Sequence, residues 1–149
     1  MSNLYLFLLL ALAAGAMMPT QAAINNKLAV FVDSPILAAF ISFLVGTIAL
    51  FIYAVASGTP LANIGSIKDA PPITWIGGLL GAFFVTAAVT LVPRLGVAMT
   101  FSLIIAGQML VTIVIDHFGL LGVPVKEISL ARVAGVLLIT GGVVLIRKF

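Results

Sequence analysis

The stretch ITWIGGLLGAFFVTAAVTLVPRLGVAMTFSLIIAGQMLVTIVIDH, residues 73–117, decides the fold of this chain. Residues 73–92 and 97–117 are two apolar runs, each as long as the ~20 residues that cross the hydrocarbon core of a bilayer. Backbone N–H and C=O groups have no water to bond there, so a spanning segment must satisfy them internally, which makes both runs helices rather than strands. The connection Pro93-Arg94-Leu95-Gly96 is so short that the two helices are expected to be antiparallel neighbours. Arg94 is the only charge between Ile73 and Ile115.

The same reading extends outward in both directions. Residues 4–24 form a first apolar span with Pro19 near its far end, and Lys27 and Asp33 fall in the connection that follows. Ser34 suits an N-cap and Pro35 the first helical position, where its missing N–H costs nothing, so a second helix is expected over 35–57. Gly58, Pro60, Gly65 and Pro71-Pro72 break the chain over 58–71, and Pro93 is expected to stop the third helix. Gly119, Gly122 and Pro124 mark a loop over 118–128, after which Ser129 caps a fifth helix over 129–147. The fold expected is an all-α membrane protein, one integral membrane domain over 1–149 with five transmembrane helices.

Composition narrows the class further. The 149 residues are 63% hydrophobic and 7% charged, with a mean hydropathy of +1.36. Soluble domains carry about 25% charged residues, so a water-soluble globule is excluded. The net charge of +3 sits in flanking positions without a basic run, so no nucleic-acid partner is expected. With no cysteine and one histidine there is no disulfide, no thiolate chemistry and no basis for a metal site, and no cofactor is expected. The N-terminal segment is read as a helix and not as a cleaved signal, because residues 1–26 hold no Lys or Arg and the apolar run is too long for a signal core.

The seven basic residues divide almost evenly between the two membrane faces. Lys68, Lys126 and Arg132 fall on the side of the N-terminus, and Lys27, Arg94, Arg147 and Lys148 on the other. Orientation follows this bias, and three against four predicts insertion both ways up. An odd number of helices leaves a single copy little room for a two-sided pathway. Two copies, one inverted, would supply ten helices on the inverted-repeat plan that many secondary transporters build within one chain. The expected partners are therefore a second copy in an antiparallel homodimer, membrane lipids and a small-molecule substrate.

Several motifs occur in a telling order. They are Gly15 through Gln21 to Asn25-Asn26, Ser42-Phe43-x-x-Gly46, and Trp75-Ile76-Gly77-Gly78-x-x-Gly81-Ala82-x-Phe84. Pro93-x-Leu95-Gly96, Gly107-Gln108, Asp116-x-Phe118-Gly119-Leu120, and Arg132-x-x-Gly135 with Gly141 follow. In this order the chain resembles, over essentially its whole length, the short YdcZ-like family of the drug/metabolite transporter superfamily. The resemblance implies a small transporter of the bacterial inner membrane that works as a paired or fused unit. It brings no assured set of binding residues.

Polar residues inside the apolar spans are the candidates for substrate contact. Gln21 and Asn25 are i, i+4 neighbours on one face, and Pro19 just before them would loosen the backbone there. They would hydrogen-bond a polar substrate, or serve as interhelical or interfacial amides. Gln108 lies near the middle of helix four, with Thr112 on its face, and a mid-membrane amide needs a partner. Phe83 and Phe84 would supply apolar walls. Gly77-x-x-x-Gly81, Gly78-x-x-x-Ala82 and Ala131-x-x-x-Gly135 form small-residue ridges for close helix packing, and each is a candidate dimer seam. Trp75 and Tyr53 fit the interfacial belt.

The charged candidates are fewer. No acidic residue sits at the centre of a span; Asp116 comes closest, at the end of helix four. Exporters that exchange cations for protons often rely on a buried carboxylate, as in the first helix of the small multidrug exporters, and this chain has Leu, Ala, Gly and Met there. A neutral, zwitterionic or lipid-like substrate is expected instead. Asp116-His117 would relay protons or simply sit at the interface, while Arg132 would snorkel outward or hold an anionic head group or carboxylate. The leading reading is a small-molecule transporter using alternating access, located in the inner membrane. The rival is a non-transporting membrane scaffold or regulatory subunit. An enzyme is not expected, since no acid/base pair meets in the bilayer.

Overall fold

The computed structural model describes residues 2–148; Met1 and Phe149, the ends of the expected 1–149 domain, lie outside the described residues. Five α-helices follow one another: α1 (Ser2–Val32), α2 (Pro35–Ala56), α3 (Ile76–Leu95), α4 (Val97–Phe118) and α5 (Leu130–Lys148). All five are long and apolar enough to cross a membrane. Between 6% and 22% of the most apolar window of each is buried, so most of the helix surface needs lipid or further protein to cover it. The helices form two compact units, Met1–Pro93 and Arg94–Phe149.

In the first unit α1 is longer than the sequence pattern suggests. The expected end near residue 24 rested on the polar residues Asn25, Asn26 and Lys27, yet the helix continues unbroken to Val32. Its 31 residues at 1.5 Å each reach about 46 Å, the full thickness of a bilayer with its head groups. Asn25, Asn26 and Lys27 are therefore helix, not loop. Pro19 also leaves the helix continuous. It removes the bond to the Gly15 carbonyl; the Thr20 hydroxyl donates to the next carbonyl, that of Ala16, at 2.9 Å and not to the freed one. Spanning helices tolerate proline because side-chain hydroxyls and neighbours can re-satisfy the freed groups.

A tight turn at Asp33, with φ 49°, reverses the chain so that α1 and α2 pack as a hairpin. Aspartate is one of the few residues that tolerate this left-handed conformation. Ser34 caps α2 as expected, its hydroxyl accepting from the Leu37 N–H at 3.2 Å, with Pro35 in the first turn. At the other end Gly58, with φ 71°, closes α2. The Thr59 N–H donates to the Ala54 carbonyl and the Gly58 N–H to that of Val55, the paired bonds of a Schellman motif. Ala39, Val85 and Val89 form the small core of this unit, with Ala29 and Phe84 packed on it.

The expected breaker loop over 58–71 has a structure of its own. Residues 61–69 and 72–75 are 3₁₀ helices. At three residues per turn, Leu61, Ile64 and Ile67 fall on one side, and all three are exposed along with Trp75. Pro93 does not stop α3, which runs on to Leu95. The break comes at Gly96, whose φ of 78° takes the chain out of the helix.

The second unit is the hairpin of α4 and α5, the most extensive helix contact among the described residues. Gly119, with φ 60°, ends α4, and Ser129 accepts from the Arg132 N–H at 3.3 Å to cap α5. A methyl group on Gly119 would meet Val125 Cγ2 at 2.7 Å and the Val123 carbonyl at 3.3 Å. Gly119→Ala is therefore expected to cost about 2 kcal/mol or more, since the left-handed conformation alone costs an L-residue ~1–2 kcal/mol. Heating followed by size-exclusion chromatography would measure it. Adding Val125→Ala is expected to recover the clash and leave the conformational part of the loss.

Candidate functional site

One face of α1 gathers the polar candidates of the first unit. Met18, Gln21, Ala22 and Asn25 follow each other at helical spacing and line a cleft whose opposite wall is Phe84, Val85 and Ala88 of α3. The cleft leaves no room for a water molecule. Asn25 is only 4% exposed, and its side-chain nitrogen has no hydrogen-bond partner. A buried amide donor left unmade costs about 1–3 kcal/mol, and natural structures carry few of them. The helix is thus held with a polar group closed into a dry, apolar seam.

Gln21 sits one turn before Asn25 and borders a second, roomier cleft. This one measures about 210 Å³ and lies between α1 and α2, lined by Gln21, Ser42, Phe43, Gly46, Thr47 and Leu50. The Gln21 amide reaches the Ser42 hydroxyl at 3.5 Å, the outer limit of a hydrogen bond. Thr47 turns its hydroxyl back to the Phe43 carbonyl at 2.8 Å, so it offers the cleft no free donor. Gly46 leaves its wall open, since nothing stands within 4 Å of where a Cβ would be. Gln21 is the group common to both clefts.

The other expected site residues are placed differently. Phe84 joins the first cleft, whereas Phe83 is 75% exposed and points away from it. Gln108 belongs to the second unit, where its side chain is exposed. Thr112 lies on its face as the spacing suggests, but the hydroxyl donates to the Gln108 backbone carbonyl at 2.8 Å and not to the amide. Gly77, Gly78 and Gly135 have nothing within 4 Å of a notional Cβ, and only Gly81 meets a side chain, that of Phe43 at 3.5 Å. Ala131 is exposed. A close helix contact along the ridges at Gly77, Gly78 or Gly135 would have to be made with something outside the described chain.

Two partnerships escaped the sequence reading. Ser42 pairs with Gln21 across the α1–α2 hairpin; the signal available was one of the few hydroxyls in a largely apolar α2. In the second unit the Arg132 guanidinium donates to Asp116 Oδ2 at 3.3 Å and to the Lys126 carbonyl at 3.1 Å. The Lys126 N–H returns to the Asp116 carbonyl at 2.8 Å, and His117 Nδ1 accepts from the Ile128 N–H at 3.3 Å. Asp116 and His117 thus serve as anchors for the loop. Opposite charges at facing ends of two helices joined by a short loop were the cue. Among the described residues no cluster of His, Cys, Asp or Glu could hold a metal ion.

Residues 6–145 match the family described as "Putative inner membrane exporter, YdcZ". The Inner membrane protein YdcZ of Escherichia coli (strain K12) is 27% identical over 149 residues, covering 98% of both chains. No solved structure matches the chain. The match takes in nearly the whole chain and most of all five candidate spans, and this inner-membrane protein belongs to the YdcZ family.

Proposed function

We infer that the protein exports a small neutral or zwitterionic molecule as an antiparallel homodimer, the α1 face of each copy contributing to one shared pathway. The observation that carries this reading is the unpartnered Asn25 amide. A buried donor that nothing satisfies is best explained by a second state in which something does, either a substrate acceptor or a cleft opened between α1 and α3. Gln21 and Ser42 would present further hydrogen-bonding groups in the adjoining 210 Å³ cleft, with Phe84 as an apolar wall. Gln108 and Phe83, exposed in a single copy, are assigned to surfaces that a second copy would cover.

Depth along α1 suits such a pair. Counting at 1.5 Å per residue, Gln21 and Asn25 stand about 6 and 12 Å from the middle of the helix. Two inverted copies would therefore place their clefts on opposite sides of the midplane, one nearer each aqueous phase. Rocking one copy against the other around the midplane would open them in turn. The exposed ridge at Gly77 and Gly78 allows a second copy to approach α3 closely. The near balance of Lys and Arg across the faces supports insertion in both orientations.

The absence of cysteine makes the orientation directly measurable. Asn63→Cys in the exposed 61–69 segment is labelled from outside intact cells with a membrane-impermeant maleimide. About half of the molecules are expected to react, the proportion that a balanced charge bias implies. Reaction of all or none would overturn the antiparallel homodimer and favour a scaffold with one fixed orientation.

A further inference from the structure

The α4–α5 hairpin contains a cleft with a different chemistry from the α1 face. It measures about 260 Å³, with Asp116 and Arg132 at one end and Met109, Ile113, Val136 and Ile139 along its walls. Gly135 also lines it and leaves it open, with nothing within 4 Å of a Cβ position. The ion pair is half-buried, with side-chain exposures of 34% and 27%. Both contacts of the guanidinium use the same nitrogen, Nη1. Its Nη2 and Nε atoms, and the second oxygen of Asp116, are left without partners among the described residues.

The charged end lies in the last turn of α4 and the first turn of α5, which is the membrane–water boundary of a spanning hairpin. From there the apolar walls run seven residues into each helix, Asp116 to Met109 and Arg132 to Ile139, or about 10 Å at 1.5 Å per residue. A charged group at head-group depth above an apolar trough parallel to the helices has the shape of a lipid molecule in a leaflet. The charges define which lipid. A guanidinium edge binds phosphate through paired N–H donors. The free carboxylate oxygen beside it accepts from an N–H cation and repels a second anion.

We propose that the Asp116–Arg132 cleft binds a zwitterionic phospholipid with a primary ammonium head group. The phosphate sits on Arg132 Nη2 and Nε, the ammonium donates to the free oxygen of Asp116, and an acyl chain lies between Ile113 and Val136. Phosphatidylcholine lacks the N–H donor, and phosphatidylglycerol brings no cation to the carboxylate. This site is separate from the transport reading and does not depend on it.

The test uses the full chain reconstituted in vesicles of equal phosphatidylethanolamine, phosphatidylcholine and phosphatidylglycerol with matched acyl chains. Bound lipid is then read by native mass spectrometry after mild extraction. The wild-type protein is expected to retain phosphatidylethanolamine over each of the others by roughly tenfold, the value of one charge-assisted hydrogen bond. Asp116→Asn is expected to lose the preference over phosphatidylcholine. Filling the trough with Val136→Phe and Ile139→Phe, which leaves the ion pair in place, is expected to abolish retention. Equal retention of the three lipids by the wild type would overturn the proposal, as would undiminished retention by a folded trough-filled variant. Displacement by free phosphoethanolamine, which has the head group without chains, would overturn it in favour of a soluble zwitterion.

Discussion

Asn25→Leu is expected to abolish export while making the protein more resistant to heat. The two effects come from one atom. The Asn25 side-chain nitrogen is buried without a partner, so removing it relieves a desolvation penalty of about 1–3 kcal/mol. Leucine has the same branching at Cγ and suits the apolar wall of Phe84, Val85 and Ala88. If the amide is instead a transport group, the same substitution removes the hydrogen bond made in the other state. Flux is to be followed by counterflow in proteoliposomes, with a substrate chosen from neutral and zwitterionic metabolites by thermal stabilisation of the wild type. Stability is read by heating and size exclusion. A variant that exports like the wild type removes Asn25 from the pathway. One that becomes less heat-resistant implies that the amide has a structural partner within the assembly. Gain of stability with loss of function is the trade expected of groups held ready for a ligand.

Fixing the orientation is expected to have an equally large effect. Lys68→Gln leaves two basic residues on the N-terminal side against four on the other. The combination Lys27→Gln, Asn63→Lys and Ser66→Lys gives five against three in the opposite sense. Each change moves the margin to two charges, enough to give a preferred orientation where cytoplasmic loops attract Lys and Arg. Each variant alone is expected to insert one way and export nothing, because the inverted copy is missing. Expressed together, the two are expected to restore export to near the wild-type level. Full activity of either one alone would show that a single orientation suffices.

The five spans were legible because lipid imposes long, uninterrupted apolar runs, and Ser34-Pro35, Ser129 and Gly119 carry recognisable end signals. Helix ends set by polar residues were not legible. Asn25, Asn26 and Lys27 look like loop in sequence, but α1 continues through them to Val32. Pro93 looks like a stop, yet the helix runs through it to Leu95 and Gly96 makes the actual break. The site was half legible. Spacing alone put Gln21 and Asn25 on one face, and the structure adds Met18 and Ala22 to it, with Phe84 opposite. Phe83 and Phe84 could not be separated by residue type, because adjacent helical positions point about 100° apart. The Asp116–Arg132 pair depends on how the 119–129 loop folds, which no periodicity encodes.

The 3₁₀ segment after α2 bears on how such a chain would stay in place if it inserted both ways up, as proposed. Leu61, Ile64 and Ile67 are exposed on one side of this segment, and Trp75 is exposed in the turn that leads into α3. Their affinity for the membrane surface comes from apolar area, which partitions equally well into either leaflet. Charge tells a protein which way up to sit; this strip sets only how deep. A chain inserted upside down would float at the same level as its twin. Two copies facing opposite ways would then meet in register, their depths matched by the same four side chains.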